Sequence, residues 1–128
     1  MSRKKSREFA FRLVFEKFFH EPDIDISESD EDFVLDDEDK NFVNELFDGI
    51  NNHYDEIINI IKDNIEGYEL DRVFKVDLAI LVLAIYELKF LDSTPQKVVL
   101  NEAIELSKKY STDKSFSFVN GVLAKIVK

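Results

Sequence analysis

The side chains able to do chemistry are few and scattered. His20 and His53 lie far apart in the sequence, neither belongs to an HExxH spacing, and no GxSxG or P-loop pattern occurs. Cysteine is absent, which removes a thiolate metal site, a cysteine nucleophile and a disulfide framework together. Carboxylates are abundant, with 27 Asp and Glu, but a solvated surface consumes many and no spacing singles out a pair for acid–base work. "DIDISESDEDFV" sets Asp23, Asp25 and Ser27 at alternate positions, yet Glu28 and Val34 stand where a calcium loop needs glycine and a bidentate glutamate. These residues argue against an enzyme, and neither a metal nor a cofactor is expected.

The concentrated chemistry is cationic. "SRKKSREFAFRLVFEKFF" crowds Arg3, Lys4, Lys5, Arg7 and Arg12 into the first turns of a chain whose formal net charge is -10. Residues 1–20 carry six Lys and Arg against Glu8 and Glu16, whereas residues 21–39 carry eleven acids and no base. Outside that acidic stretch the charge is close to neutral, with basic residues at both ends. Lysine and arginine bind a phosphate backbone largely by releasing counterions, so a short basic segment can supply affinity whatever the charge of a distant face. Taken alone, the run reads equally as a solubilising terminus.

Positioning these residues falls to helices. Residues 1–128 fit one domain, with an acidic connector over about 21–39, and only 3 Gly and 2 Pro interrupt them. The longest apolar run, "LAILVLAIY" at 78–86, is too short to span a bilayer and reads as a buried core helix. With no secretory signal pattern and no cysteine, a cytoplasmic protein is expected, away from membranes.

In the first helix Phe9, Ala10, Leu13, Val14 and Phe18 form one apolar face and Phe11, Phe15 and Phe19 a second, so it should be buried on two sides. Asp36 or Asp37 caps a helix carrying Phe42, Val43, Leu46, Phe47 and Ile50, which breaks near Asn51–His53. Tyr54, Ile57, Ile58, Ile61 and Ile65 follow, ending near Gly67, and "YELDRVFKVD" is a short turn or helix. Ser93 or Thr94 with Pro95 starts a helix whose stripe is Val98, Val99, Ala103, Ile104 and Leu106. "YSTDKS" breaks the chain before a last helix over "FSFVNGVLAKIVK". No period-two alternation occurs. The fold class is all-α, about seven helices.

In the C-terminal third, "DLAILVLAIYEL", "TPQKVVLNEAIELSKKY" and "SFVNGVLAKI" succeed one another, and the chain opens with "REFAFRLVF". In order and spacing these closely resemble the NusB family of transcription antitermination factors. The resemblance implies two small helical bundles packed together and an RNA-binding function without catalysis. It implies pairing with the ribosomal protein NusE, recognition of boxA-type single-stranded RNA in nascent ribosomal RNA transcripts, and action on an RNA polymerase antitermination complex. A capacity to form a homodimer through the RNA surface belongs to the same expectation.

By position, the family's basic RNA contacts fall on Arg3, Lys4, Lys5 and Arg7, and its path continues through Lys108, Lys114 and Phe118. Phe15 and Asp77 match the face used for the protein partner, with core packing and helix capping as competing roles. Asn101, Glu102, Asn120 and Gly121 belong to the family pattern and are expected to serve structure: the asparagines between helices, the glycine in close packing. Val82 and Ser117 stand where relatives carry basic residues, so weak RNA binding without the partner is expected. The acidic stretch should lie away from the basic opening. A scaffold docking a basic ribosomal protein without touching RNA is the alternative. A methyltransferase-fused form of the domain is set aside because no methyl-donor-binding domain is present.

Overall fold

A computed structural model describes residues 3–19, 36–65, 69–91 and 94–127. Its arrangement follows from α4 (Lys75–Lys89), which is apolar on every side and must be enclosed: residues 77 to 87 are all buried. It packs against each of the other five helices. α1 (Arg3–Lys17) runs antiparallel to it, with Arg7 meeting Glu87 at one end and the Lys75 ammonium 5.9 Å from the Phe18 ring at the other. α1 lies between α2 and α4 and buries Ala10, Phe11, Leu13 and Val14, as its two apolar faces predict. The second face fades toward solvent: Phe15 is half-buried and Phe19 exposed.

α2 (Asp37–Asn52) is started by Asp36, whose carboxylate accepts from the Asp39 amide at 2.8 Å while Asp39 accepts in return from the Asp36 amide. This reciprocal cap satisfies two amides that a helix start leaves without partners. The predicted stripe Phe42, Val43, Leu46, Phe47 and Ile50 is buried. Gly49 lets α2 approach α4, since a Cβ there would stand 1.9 Å from the Tyr86 hydroxyl and 2.2 Å from Cζ. His53 ends α2 and stacks on Phe90, ring centres 4.2 Å apart. α3 (Tyr54–Asn64) inserts Ile57 and Ile61, and the short element expected next is a 3₁₀ turn, Leu70–Arg72.

α5 (Gln96–Tyr110) begins just after Pro95 without a side-chain cap. Thr94, one of two residues expected to cap it, is engaged elsewhere: its hydroxyl accepts from Arg7 and donates to Glu87. Ser93, the other, lies outside the described residues. α6 (Asp113–Ile126) starts earlier than predicted because the Thr112 hydroxyl accepts from the Ser115 amide at 3.2 Å, shortening the break. α1 and α2 pack on each other and on α4, α5 and α6 do the same, and α3 joins α2, α4 and α6. The two expected bundles therefore share α4. Six α-helices and one 3₁₀ turn are present among the described residues, close to the expected seven.

Candidate nucleic-acid interface

The first turn of α1 stands against its own helix dipole. Arg3, Lys4 and Lys5 are exposed there with no acid in the same turn. Each exposed cation at a helix N-terminus costs roughly 0.3–1 kcal/mol relative to a favourable placement. Other contacts must hold the turn. The Arg3 guanidinium lies 3.9 Å from the centre of the Phe42 ring, and Ser6 donates to Asp39 at 3.2 Å.

Arg7, expected among the RNA contacts, is largely buried. It is only 5% exposed, and its Nε lies 3.0 Å from both Glu87 carboxylate oxygens while Nη2 reaches Thr94 Oγ1 at 3.3 Å. Burial pushes the Glu87 carboxyl above the usual carboxylate range, a shift that the Arg7 charge and the Arg7 and Thr94 hydrogen bonds only partly offset. Arg7 thus ties α1 to α4 and to the start of α5, with its charge directed inward.

Beside this tie runs an open groove of about 450 Å³ lined by Arg3, Lys4, Arg7, Phe42, Thr94, Pro95, Val98 and Glu102. Pro95, Val98 and Glu102 recur at three and four residues, one stripe of α5 turned toward the start of α1. Val98, predicted as core, is 39% exposed here.

Lys108 and Lys114 are exposed at the α5–α6 junction. Lys108 lines a hollow with Ser111, Thr112 and Phe116, its ammonium 5.9 Å from the Phe116 ring. The ring lining this hollow is Phe116; Phe118, half-buried to the same degree, packs against the core. Lys108 lies about 15 Å along α5 from Val98, at 1.5 Å per residue. The expected RNA residues therefore form two groups along α5. Next to the second group, Glu8 accepts hydrogen bonds from Lys109 and Tyr110 at the end of α5. Burial alone would raise Glu8, but those two bonds with the Lys109 and Arg12 charges hold it below the usual range.

Of the expected partner residues, Asp77 is 4% exposed and accepts from Ser111 Oγ at 2.7 Å, tying α4 to the end of α5. Its carboxylate is occupied within the fold. Phe15 packs edge-on against Phe19, ring centres 5.1 Å apart, and Phe19 is 61% exposed.

Three structural expectations are corrected. Asn101 and Asn120 are exposed rather than set between helices, and a Cβ on Gly121 would meet open space, so no close approach requires that glycine. Nor does the acidic stretch lie wholly apart from the basic one. Its last residues, 36–39, form the α2 cap beside α1, with Asp39 bonded to Ser6. Residues 21–35, including the rejected calcium pattern, lie outside the described residues, as does His20. Val82 is fully buried and Ser117 exposed.

Phe42, Val98, Glu102 and Phe116 were not singled out as ligand-facing from the sequence. The Pro95–Val98–Glu102 spacing was a usable signal for two of them. Phe42 reads only as core until Arg3 is seen across its ring.

Comparison with known proteins gives one direction. The sequence model of the NusB family matches residues 4–128. The transcription antitermination protein NusB of Lachnoclostridium phytofermentans is 44% identical over 135 residues, covering 99% of each chain. Among solved structures, T. maritima NusB superposes with a TM-score of 0.86 at 32% identity, covering 98% of this chain and 90% of that one. A crystal structure of the antitermination factors NusB and NusE in complex with double-stranded RNA gives 0.85 at 29% identity, covering 97% and 94%.

Proposed function

The chain belongs to the NusB family of transcription antitermination factors, which bind RNA without catalysing a reaction, and from that premise we propose that it pairs with NusE to recognise boxA-type single-stranded RNA. The observation that carries the reading is the exposed run Arg3, Lys4 and Lys5, held against the dipole of α1, with Arg3 and Lys4 lining the α5 groove. Arg3 and the lysines bind phosphate, and Lys108 and Lys114, with the Phe116 ring beside them, extend the path toward α6. Phe15 and Phe19 supply the aromatic part of the NusE-facing surface. The assembled pair acts on RNA polymerase during ribosomal RNA transcription. Pairing of two copies through the same basic face would mask the RNA site, and light scattering with and without RNA reports it.

The alternative, an acidic scaffold docking a basic ribosomal protein, draws support from the acids at 36–39 beside the basic turn. One titration separates the two. Labelled boxA-like single-stranded RNA is followed by fluorescence anisotropy with this protein alone and with NusE, against a scrambled strand and a duplex of the same sequence. Three phosphate contacts from Arg3, Lys4 and Lys5 give log affinity a slope of about -2 against log salt, at roughly 0.7 per single-strand contact. NusE should steepen that slope and raise affinity. Reversing the three charges should abolish RNA binding while the pair with NusE persists; RNA binding unchanged by the reversal favours the scaffold.

A further inference from the structure

The groove beside α1 contains a group that phosphate recognition does not explain. Glu102 places a carboxylate among Arg3, Lys4 and Arg7, where it would repel the RNA backbone. Of the cations lining the groove, Arg7 is already committed, giving its Nε to Glu87 at 3.0 Å. Glu102 is half-exposed, and its charge adds to the burial that raises Glu87. A carboxylate in this position suits a ligand that presents hydrogen-bond donors.

The rest of the lining fits one nucleotide. Arg3 and Lys4 offer charge for a phosphate at the mouth. Pro95 and Val98, both exposed, offer an apolar wall to the face of a base. Arg3 lies with its guanidinium over Phe42 at 3.9 Å, and such a plane, backed by an aromatic ring, is a surface on which an unpaired base stacks. Glu102 follows Val98 by one helical turn on the same stripe, where it meets the edge of a base lying against that wall.

An ionised carboxylate only accepts hydrogen bonds. On its Watson–Crick edge guanine presents two adjacent donors, N1–H and the N2 amino group, which the two carboxylate oxygens can accept together. Adenine and cytosine each pair one donor with a ring-nitrogen acceptor that a carboxylate repels, and uracil flanks its single donor with two carbonyls. We infer that Glu102 is a specificity-determining residue that selects an unpaired guanine in the Arg3–Phe42–Val98 groove. The inference rests on the RNA-binding reading and deepens it.

The test uses labelled oligouridine carrying a single central guanosine, inosine or adenosine, titrated with the protein and NusE at fixed salt. The wild type should prefer guanosine to adenosine by roughly ten- to a hundredfold, the range of one good bidentate base contact. Inosine, which lacks the N2 amino group, should fall between. Glu102→Ala should bind all three alike. Glu102→Gln offers one acceptor and one donor and should move the preference toward adenosine, an outcome that mere loss of charge does not produce. Equal binding of the three oligonucleotides by the wild type, or uniform tightening of all three in Glu102→Ala, overturns the inference while leaving RNA binding in place. Failure of every oligonucleotide and of the boxA-like strand to bind, with the NusE pair intact, overturns the RNA reading itself.

Discussion

Replacing Arg7 with methionine should cost a large share of the roughly 5–15 kcal/mol that stabilises a small domain, and burial and protonation bound the loss. The substitution keeps an apolar stem but leaves Glu87, whose side chain is 2% exposed, without its cation. Breaking a buried pair by removing one member costs roughly 3–5 kcal/mol. Protonation sets a ceiling on the electrostatic part. Neutralising a glutamate at pH 7 from an ordinary value near 4.3 takes about 3.7 kcal/mol, at 1.36 kcal/mol for each pH unit, so a charged Glu87 cannot cost more than that. A total loss of about 3–4 kcal/mol in urea unfolding at neutral pH follows. Glu87 is raised in the folded state by burial, so its contribution to stability is present below the unfolded value and lost as pH rises through the folded one. Removing Arg7 strengthens that trend, and the deficit should shrink by up to about 1.4 kcal/mol per unit as pH falls from neutral. A loss under about 1 kcal/mol with no dependence on pH would refute the buried pair. The double variant Arg7→Met with Glu87→Leu should recover much of the stability, since an apolar pair of similar volume replaces a buried ion pair at little cost. RNA binding that returns with it makes Arg7 a positioning residue; RNA binding that stays lost returns Arg7 to phosphate contact.

Gly49→Ala gains about 1 kcal/mol in helix propensity but drives a methyl into the Tyr86 ring, so thermal unfolding should show a net loss of roughly 1–2 kcal/mol. Gly121→Ala, facing open space, should stabilise by a few tenths of a kcal/mol to about 1 kcal/mol. Asp36→Ala removes half of the reciprocal cap and should cost about 1 kcal/mol by chemical denaturation. Glu8 is depressed in the folded state, so its contribution is present above the unfolded value and lost as pH falls through the folded one; Glu8→Gln should flatten the acid limb of the stability profile.

Period and capping carried most of the fold. The apolar stripe from Phe42 to Ile50, the enclosed run from Leu78 to Tyr86 and the two-sided first helix all followed from 3.6-residue spacing, because burial acts on whole helix faces. Errors gathered where one side chain chooses between a local and a distant partner. Thr94 has the chemistry of a cap, but Arg7 and Glu87 lie within its reach in three dimensions. Val98 fits an apolar stripe, yet it sits on the edge of α5 that faces the groove rather than α4. Arg7 and Glu87 are eighty positions apart, and nothing in the periodicity of either helix couples them.

The basic opening was legible as a site and misleading as a field. Arg3, Lys4 and Lys5 look strongly attractive to phosphate when residues 21–39 are imagined elsewhere. The Ser6 to Asp39 hydrogen bond instead brings the α2 cap, with Asp36, Asp37 and Glu38 exposed on it, beside those same cations. At physiological ionic strength charges interact over about 8 Å, so neighbouring acids weaken the potential that distant ones would leave intact. Arg7 withdraws a fourth positive charge into the core, and Glu102 adds a negative one to the groove. On the proposed reading, what remains attracts a backbone weakly, Glu102 selects the base, and a basic partner supplies the affinity.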